Sequence, residues 1–126
     1  EWTKKKTKMS YDKNNIFAKI LREEIPCKKV YENDHVLAFH DINPQKKIHV
    51  LVIPKGEYID LDDFNSKASE EEITKLNKAV THVAKLMGAK DKGYRALTNI
   101  GRDGGQEVPH LHFHIFAGEK IGKMVS

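Results

Sequence analysis

The 126-residue sequence contains one cysteine, Cys27, one tryptophan, Trp2, and four prolines. A single cysteine rules out an intrachain disulfide, so a reducing, cytoplasmic setting is the default expectation. Two lysines follow Cys27, a setting that by itself favours the thiolate. Free cysteine nevertheless packs most often as a small hydrophobe, and that reading is adopted here. No apolar run approaches the roughly 20 residues of a membrane-spanning helix. Short runs such as Val50-Leu51-Val52-Ile53 have the length of strands. The N-terminus lacks the charged, apolar and small-residue order of a secretory signal. No internal repeat is evident.

With 39% hydrophobic and 32% charged residues, the composition suits one globular domain. The net charge of +4 raises the question of nucleic-acid binding. Its distribution argues against that. Residues 1–13 carry five lysines against Glu1 and Asp12, so three of the four net charges lie there. Residues 1–14 therefore read as a basic, disordered tail. Residues 15–126 read as the folded domain.

The stretch Asn15 to Ile25 predicts a short helix, with Ile16, Phe17, Ile20 and Leu21 on one face and Pro26 as its stop. Strands are expected at Lys29–Glu32, Val36–His40 and Ile48–Ile53, separated by the turn residues Asn33-Asp34 and Asn43-Pro44. Residues 57–68 look irregular or weakly helical. Ser69 and Glu72 form a capping-box signature. Beyond it, Ile73, Leu76, Val80, Val83 and Met87 recur at steps of three and four, ending at Gly88. This predicts a long amphipathic helix. Tyr94–Asn99 and His110–Phe116 complete the strands. The expected fold is α+β: a five-stranded antiparallel sheet with one long helix and a short N-terminal helix.

The chemistry concentrates at the end. His110, His112 and His114 alternate with Leu111, Phe113 and Ile115. A strand sends alternate side chains to opposite faces, so the three imidazoles share one face, about 7 Å apart. The preceding loop holds Gly101, Gly104 and Gly105. Such glycines let backbone N–H groups approach a phosphate closely. A phosphate held there would lie beside imidazoles able to attack phosphorus, stabilise charge or move protons. Two other readings compete. One is a structural histidine ladder. The other is a zinc site in which His49 joins a His-x-His pair. No cysteine supports zinc, and zinc leaves the glycine loop unexplained. Among the remaining histidines, His82 and His35 are expected at the surface and His40 in a structural role.

The segment His110-Leu111-His112-Phe113-His114-Ile115-Phe116 resembles the signature of the histidine-triad family. So do Gly104-Gly105-Gln106, Phe39-His40-Asp41-Ile42-Asn43-Pro44-Gln45 and His49-Val50-Leu51-Val52-Ile53-Pro54-Lys55. Several motifs agree in order over about residues 15–120, and the likeness is to the Hint branch, the histidine triad nucleotide-binding proteins. The resemblance implies that His112 is the nucleophile, forming a nucleotidyl-histidine intermediate, with His110, His114 and His49 in support. It assigns phosphate contacts to Asn99 and to Gly105, Gln106, Glu107 and Val108. It assigns ribose hydroxyls to Asp41, and the purine and ribose pocket to Phe17, Ile20, Phe39, Ile42 and Leu51. It further implies a homodimer that hydrolyses adenosine phosphoramidates and related AMP derivatives with no metal or other cofactor. One departure stands out: many members carry serine after the loop glutamine, and this chain has Glu107. The alternatives are a dinucleoside polyphosphate hydrolase and a nucleotide-binding scaffold with vestigial catalysis. The phosphoramidate hydrolase is expected to show a bell-shaped pH dependence.

Overall fold

The computed structural model describes residues 10–125. Residues 1–9, most of the expected tail, lie outside the described residues. Residues 12–15 are anchored on the body. Lys13 Nζ donates to Glu57 at 2.8 Å, Arg22 reaches back to the Lys13 carbonyl, and Asn15 Nδ2 donates to the Asp12 carbonyl.

Helix α1 spans Ile16–Leu21, with Asn15 as its N-cap accepting from Ala18 N–H. Strands β1 (Lys29–Glu32), β2 (Val36–His40) and β3 (Ile48–Pro54) follow as an antiparallel meander. Two helices then occur in succession, α2 (Leu61–Lys67) and α3 (Glu70–Leu86), before β4 (Arg95–Leu97) and β5 (Phe113–Ala117). The sheet order is β1-β2-β3-β5-β4, antiparallel throughout, so β5 inserts beside β3 and leaves β4 at the edge. This is the expected α+β architecture. Among the described residues, no helix is long and apolar enough to cross a membrane.

Strands β2 and β3 are buried on both faces. Val36 and Ala38 of β2, Val50 and Val52 of β3, and Ile115 and Ala117 of β5 pack on Leu76, Ala79, Val83 and Ala84 of α3 and on Phe64 of α2. The alternate residues Leu37, Phe39, Leu51 and Ile53 pack on Phe17 and Ile20 of α1. Double-sided burial explains why β2 and β3 read as unbroken apolar runs rather than alternating ones. His49 and His114 share the parity of Leu51 and Phe116, which sets them on the α1 face.

Three expectations change. The region 57–68 contains a true helix, α2, because Asp60 caps it by accepting from Asp63 N–H and Phe64 anchors it in the core. Strand β5 begins at Phe113 rather than His110. Pro109 has no N–H, Leu111 N–H donates to the Tyr58 carbonyl, and Thr98 Oγ1 donates to the His112 carbonyl. The groups that would extend the ladder are thus committed elsewhere, which also shortens β4 to Arg95–Leu97.

The capping box at α3 is complete: Ser69 accepts from Glu72 N–H, and Glu72 accepts from Ser69 N–H. Helix stability in such a domain comes mainly from packing of the apolar face. Ser69→Ala is therefore expected to lower stability by about 1 kcal/mol, and Leu76→Ala by about 2–5 kcal/mol. Urea unfolding measures both; a capping loss as large as the core loss would contradict this ordering.

Candidate active site

A cleft of about 1050 Å3 lies on the α1 face of the sheet. Its apolar lining includes Phe17, Ile20, Phe39 and Leu51, joined by Ile16, Ile25 and Val108. Ile42 also lines it and is 96% exposed. Its polar lining includes Asp41, His49, Asn99, Glu107, His112 and His114. Most of the residues singled out in the sequence therefore meet at one cavity.

Fixed backbone groups settle how each imidazole carries its proton. His112 Nδ1 lies 2.7 Å from the carbonyl oxygen of His110. A carbonyl can only accept, so Nδ1 carries the hydrogen and Nε2 keeps its lone pair. His49 Nδ1 receives the backbone N–H of Gln45 at 3.1 Å, so His49 carries its hydrogen on Nε2. That hydrogen faces His114 Nδ1 at 2.9 Å, with Asp41 Oδ2 3.3 Å away. His114 is left with an Nε2–H donor. His110 Nε2 donates to the Pro54 carbonyl at 2.9 Å, and His110 Nδ1 accepts from the Tyr11 hydroxyl.

Burial keeps these rings neutral. It pushes His110 down to about 4, with the neighbouring His112 adding to the effect. His114 also falls to about 4, through burial first and then His112 and His49. Burial lowers His112 and His49 as well, and Asp41 opposes the shift at both. A neutral imidazole with a free Nε2 lone pair, as in His112, has the form that nucleophilic chemistry requires. Its ring meets the edge of Phe17 with centroids 4.9 Å apart, and that of His114 at 5.0 Å.

The glycine loop differs from expectation in detail. Gly105 N–H donates to the Arg102 carbonyl and Gln106 N–H to that of Gly101. Gly101 N–H donates to Gln106 Oε1. These groups hold the loop itself, and the next N–H groups, of Glu107 and Val108, belong to residues on the cleft wall. A Cβ on Gly104 would lie 2.4 Å from the Ile100 carbonyl oxygen, so only glycine fits.

Two expected site residues do not reach the wall. Gln106 turns inward, its Nε2 donating to the carbonyls of Ile59 and Val108. His110, fully buried, lies behind His112. Conversely, His40 is exposed and lines the cleft instead of serving the core, and Lys28, Lys47 and Cys27 also line it. Burial raises the Cys27 thiol pKa, outweighing Lys29. Asp41, His49 and His114 each offer a donor atom within 4.8 Å of the others, a spacing a metal ion could use. The hydrogen bond between the two imidazoles occupies two of those atoms with a shared proton.

The model of the HIT domain, the histidine-triad domain, matches residues 22–121. An uncharacterized 13.2 kDa HIT-like protein of Azospirillum brasilense is 60% identical over 117 residues, covering 93% of this chain and 96% of that protein. The purine nucleoside phosphoramidase of Escherichia coli K12 is 38% identical over 111 residues, covering 88% and 92%. Among solved structures, a HIT family hydrolase from Clostridium thermocellum superposes with a TM-score of 0.83 at 36% identity, covering 91% of this chain and 99% of that one. With the imidazole cluster at the cleft, the strand order and these matches in agreement, the chain belongs to the HIT domain family.

Proposed function

We propose that this protein is a nucleotide-binding hydrolase that cleaves nucleoside phosphoramidates, or related nucleoside monophosphate derivatives, through a covalent nucleotidyl-histidine at His112. The observation that carries the reading is the 2.7 Å hydrogen bond from His112 Nδ1–H to the His110 carbonyl, which commits the Nε2 lone pair to attack. The likeness to an Escherichia coli purine nucleoside phosphoramidase supports the substrate class.

In this scheme Nε2 of His112 attacks the α-phosphorus, and the bond to the leaving nitrogen breaks as that nitrogen takes up a proton from solvent and departs as the amine. Negative charge on the phosphoryl oxygens is met by His114 Nε2–H and by the N–H groups of Glu107 and Val108. Water then attacks the same phosphorus and releases His112, so two easier displacements replace one. Phe17, Ile20, Phe39, Ile42 and Leu51 hold the purine and ribose, Asp41 binds ribose hydroxyls, and Asn99 contacts phosphate. Glu107, exposed on the cleft wall, stands where many Hint-branch members carry serine and faces the departing group. The chain works as a homodimer in the cytoplasm. Among the described residues the outer edge of β4 has no strand neighbour, and Leu86 and Ile100 are exposed nearby in sequence, which supports the pairing. A species of monomer mass in sedimentation equilibrium would count against it.

His112→Asn is expected to cut kcat on an adenosine phosphoramidate by at least about 1000-fold while AMP binding persists. Near-parental turnover would remove His112 as the nucleophile. Faster turnover of a diadenosine polyphosphate by the parent would favour the polyphosphate hydrolase instead. Micromolar AMP binding with no turnover of either compound would favour the scaffold.

The expected acid limb follows from burial. His112 must be neutral to attack, and its pKa is below the ordinary value of about 6.5. kcat/KM, which reports the free protein, should therefore hold down to about pH 6.5 and fall only on further acidification. An acid limb centred above pH 7 would contradict this.

A further inference from the structure

We infer that Tyr11 is a positioning residue for His112: its hydroxyl, donated to His110 Nδ1, fixes the His110 ring and so keeps the His110 carbonyl aimed at His112 Nδ1. The inference rests on the proposed role of His112 and adds a residue outside the histidine motif.

The argument starts from what each atom can do. The Pro54 carbonyl can only accept, so His110 Nε2 carries the hydrogen and Nδ1 presents a lone pair. His110 has no exposed surface, so that lone pair needs a donor inside the protein. Tyr11 supplies it, with its ring edge-on to the imidazole at a centroid distance of 5.6 Å. Burial raises the Tyr11 pKa above 10.0, against the hydrogen bond from Asn15, so the phenol remains an O–H donor. The titratable and charged groups near this pair are few: Glu57, Arg22 and Asp12 act on Tyr11, and His112 and Glu57 on His110.

His110 is thus held at both ring nitrogens, from β3 by Pro54 and from the N-terminal segment by Tyr11. Its own carbonyl is the acceptor for His112 Nδ1–H. Phe17 touches both rings, at 6.3 Å from His110 and 4.9 Å from His112. A shift of His110 therefore reaches the nucleophile through its backbone and through a shared neighbour. The segment carrying Tyr11 is separately anchored by the Lys13–Glu57 ion pair. That allows the effect of the hydroxyl to be told apart from general tethering.

Tyr11→Phe removes only the hydroxyl. The expected result is a kcat lowered about five- to twentyfold, with KM within about twofold of the parent, the scale of one buried hydrogen bond. Lys13→Ala, which loosens the same segment without touching His110, should leave kcat and the acid limb unchanged. Long-range 1H–15N spectra of the imidazoles provide a readout independent of turnover. In the parent, His110 should appear as the Nε2–H tautomer and His112 as the Nδ1–H tautomer. In Tyr11→Phe, the His110 Nδ1 resonance should move to that of a free imine nitrogen and the His112 Nδ1–H signal should shift. Unchanged His110 and His112 signals in a folded Tyr11→Phe protein would overturn the inference. So would equal losses of kcat in Tyr11→Phe and Lys13→Ala. A parent inactive on phosphoramidates would instead sink the functional reading, and the spectra would still decide whether Tyr11 positions His112.

Discussion

From His49 to Pro54, β3 has no exposed residue, and the site depends on that strand having no solvent face. Val50 and Val52 pack toward α3, while Leu51 and Ile53 pack toward α1. Slipping the register by one residue would turn His49 into the α3 core and bring Val50 to the cleft. Each face therefore enforces the position of the other. The strand also supplies both of its sheet neighbours. β2 lies on one side, and on the other is β5, where Leu51 pairs with His114. At its end the Pro54 carbonyl holds His110. One doubly buried strand thus locates three of the four imidazoles, and the chain link from His110 to His112 locates the fourth.

The second layer of control comes from the backbone. Three main-chain groups assign the protons: the carbonyls of Pro54 and His110, and the N–H of Gln45. A main-chain group cannot change its donor or acceptor character, so His110, His112 and His49 each have one sensible tautomer, and His49 Nε2–H in turn fixes that of His114. Burial acts in the same direction by disfavouring imidazolium. The result is four neutral heterocycles whose lone pairs and N–H groups each point in a defined direction. The cost of burying them is limited because every ring nitrogen used internally has a partner. Among the described residues, no fully buried side-chain polar atom lacks one.

Much of this was legible in the sequence because it rests on periodicity. Alternation across β5 assigned His114 and Ile115 to opposite faces, and the parity extended to His112 although the ladder stops at Phe113. The Ser69–Glu72 signature marked the start of α3, and steps of three and four marked its buried face. What escaped depends on contacts distant in the chain. Gln106 sits in a motif that faces the cleft, yet the carbonyl of Ile59, 47 positions earlier, turns its side chain inward. Tyr11 stands beside a lysine-rich stretch, so composition grouped it with the tail. Its partner His110 is 99 residues away, beyond the reach of local pattern. α2 was underestimated because its stability comes from Phe64 entering the core and from the Asp60 cap rather than from a repeating stripe.

At the cleft Ile42 is almost wholly solvated and Ile16 partly exposed, next to the buried wall of Phe17, Ile20, Phe39 and Leu51. Covering such a surface with a flat heterocycle releases the water ordered against it, and removing apolar area from water lowers heat capacity. The base end of any nucleotide would therefore leave a calorimetric trace in the temperature dependence of the binding enthalpy. The phosphate end, held by dipoles and neutral imidazoles, would contribute mainly to the enthalpy itself. On the proposed reading, the two walls of one cavity would divide recognition between two thermodynamic quantities that vary separately with temperature.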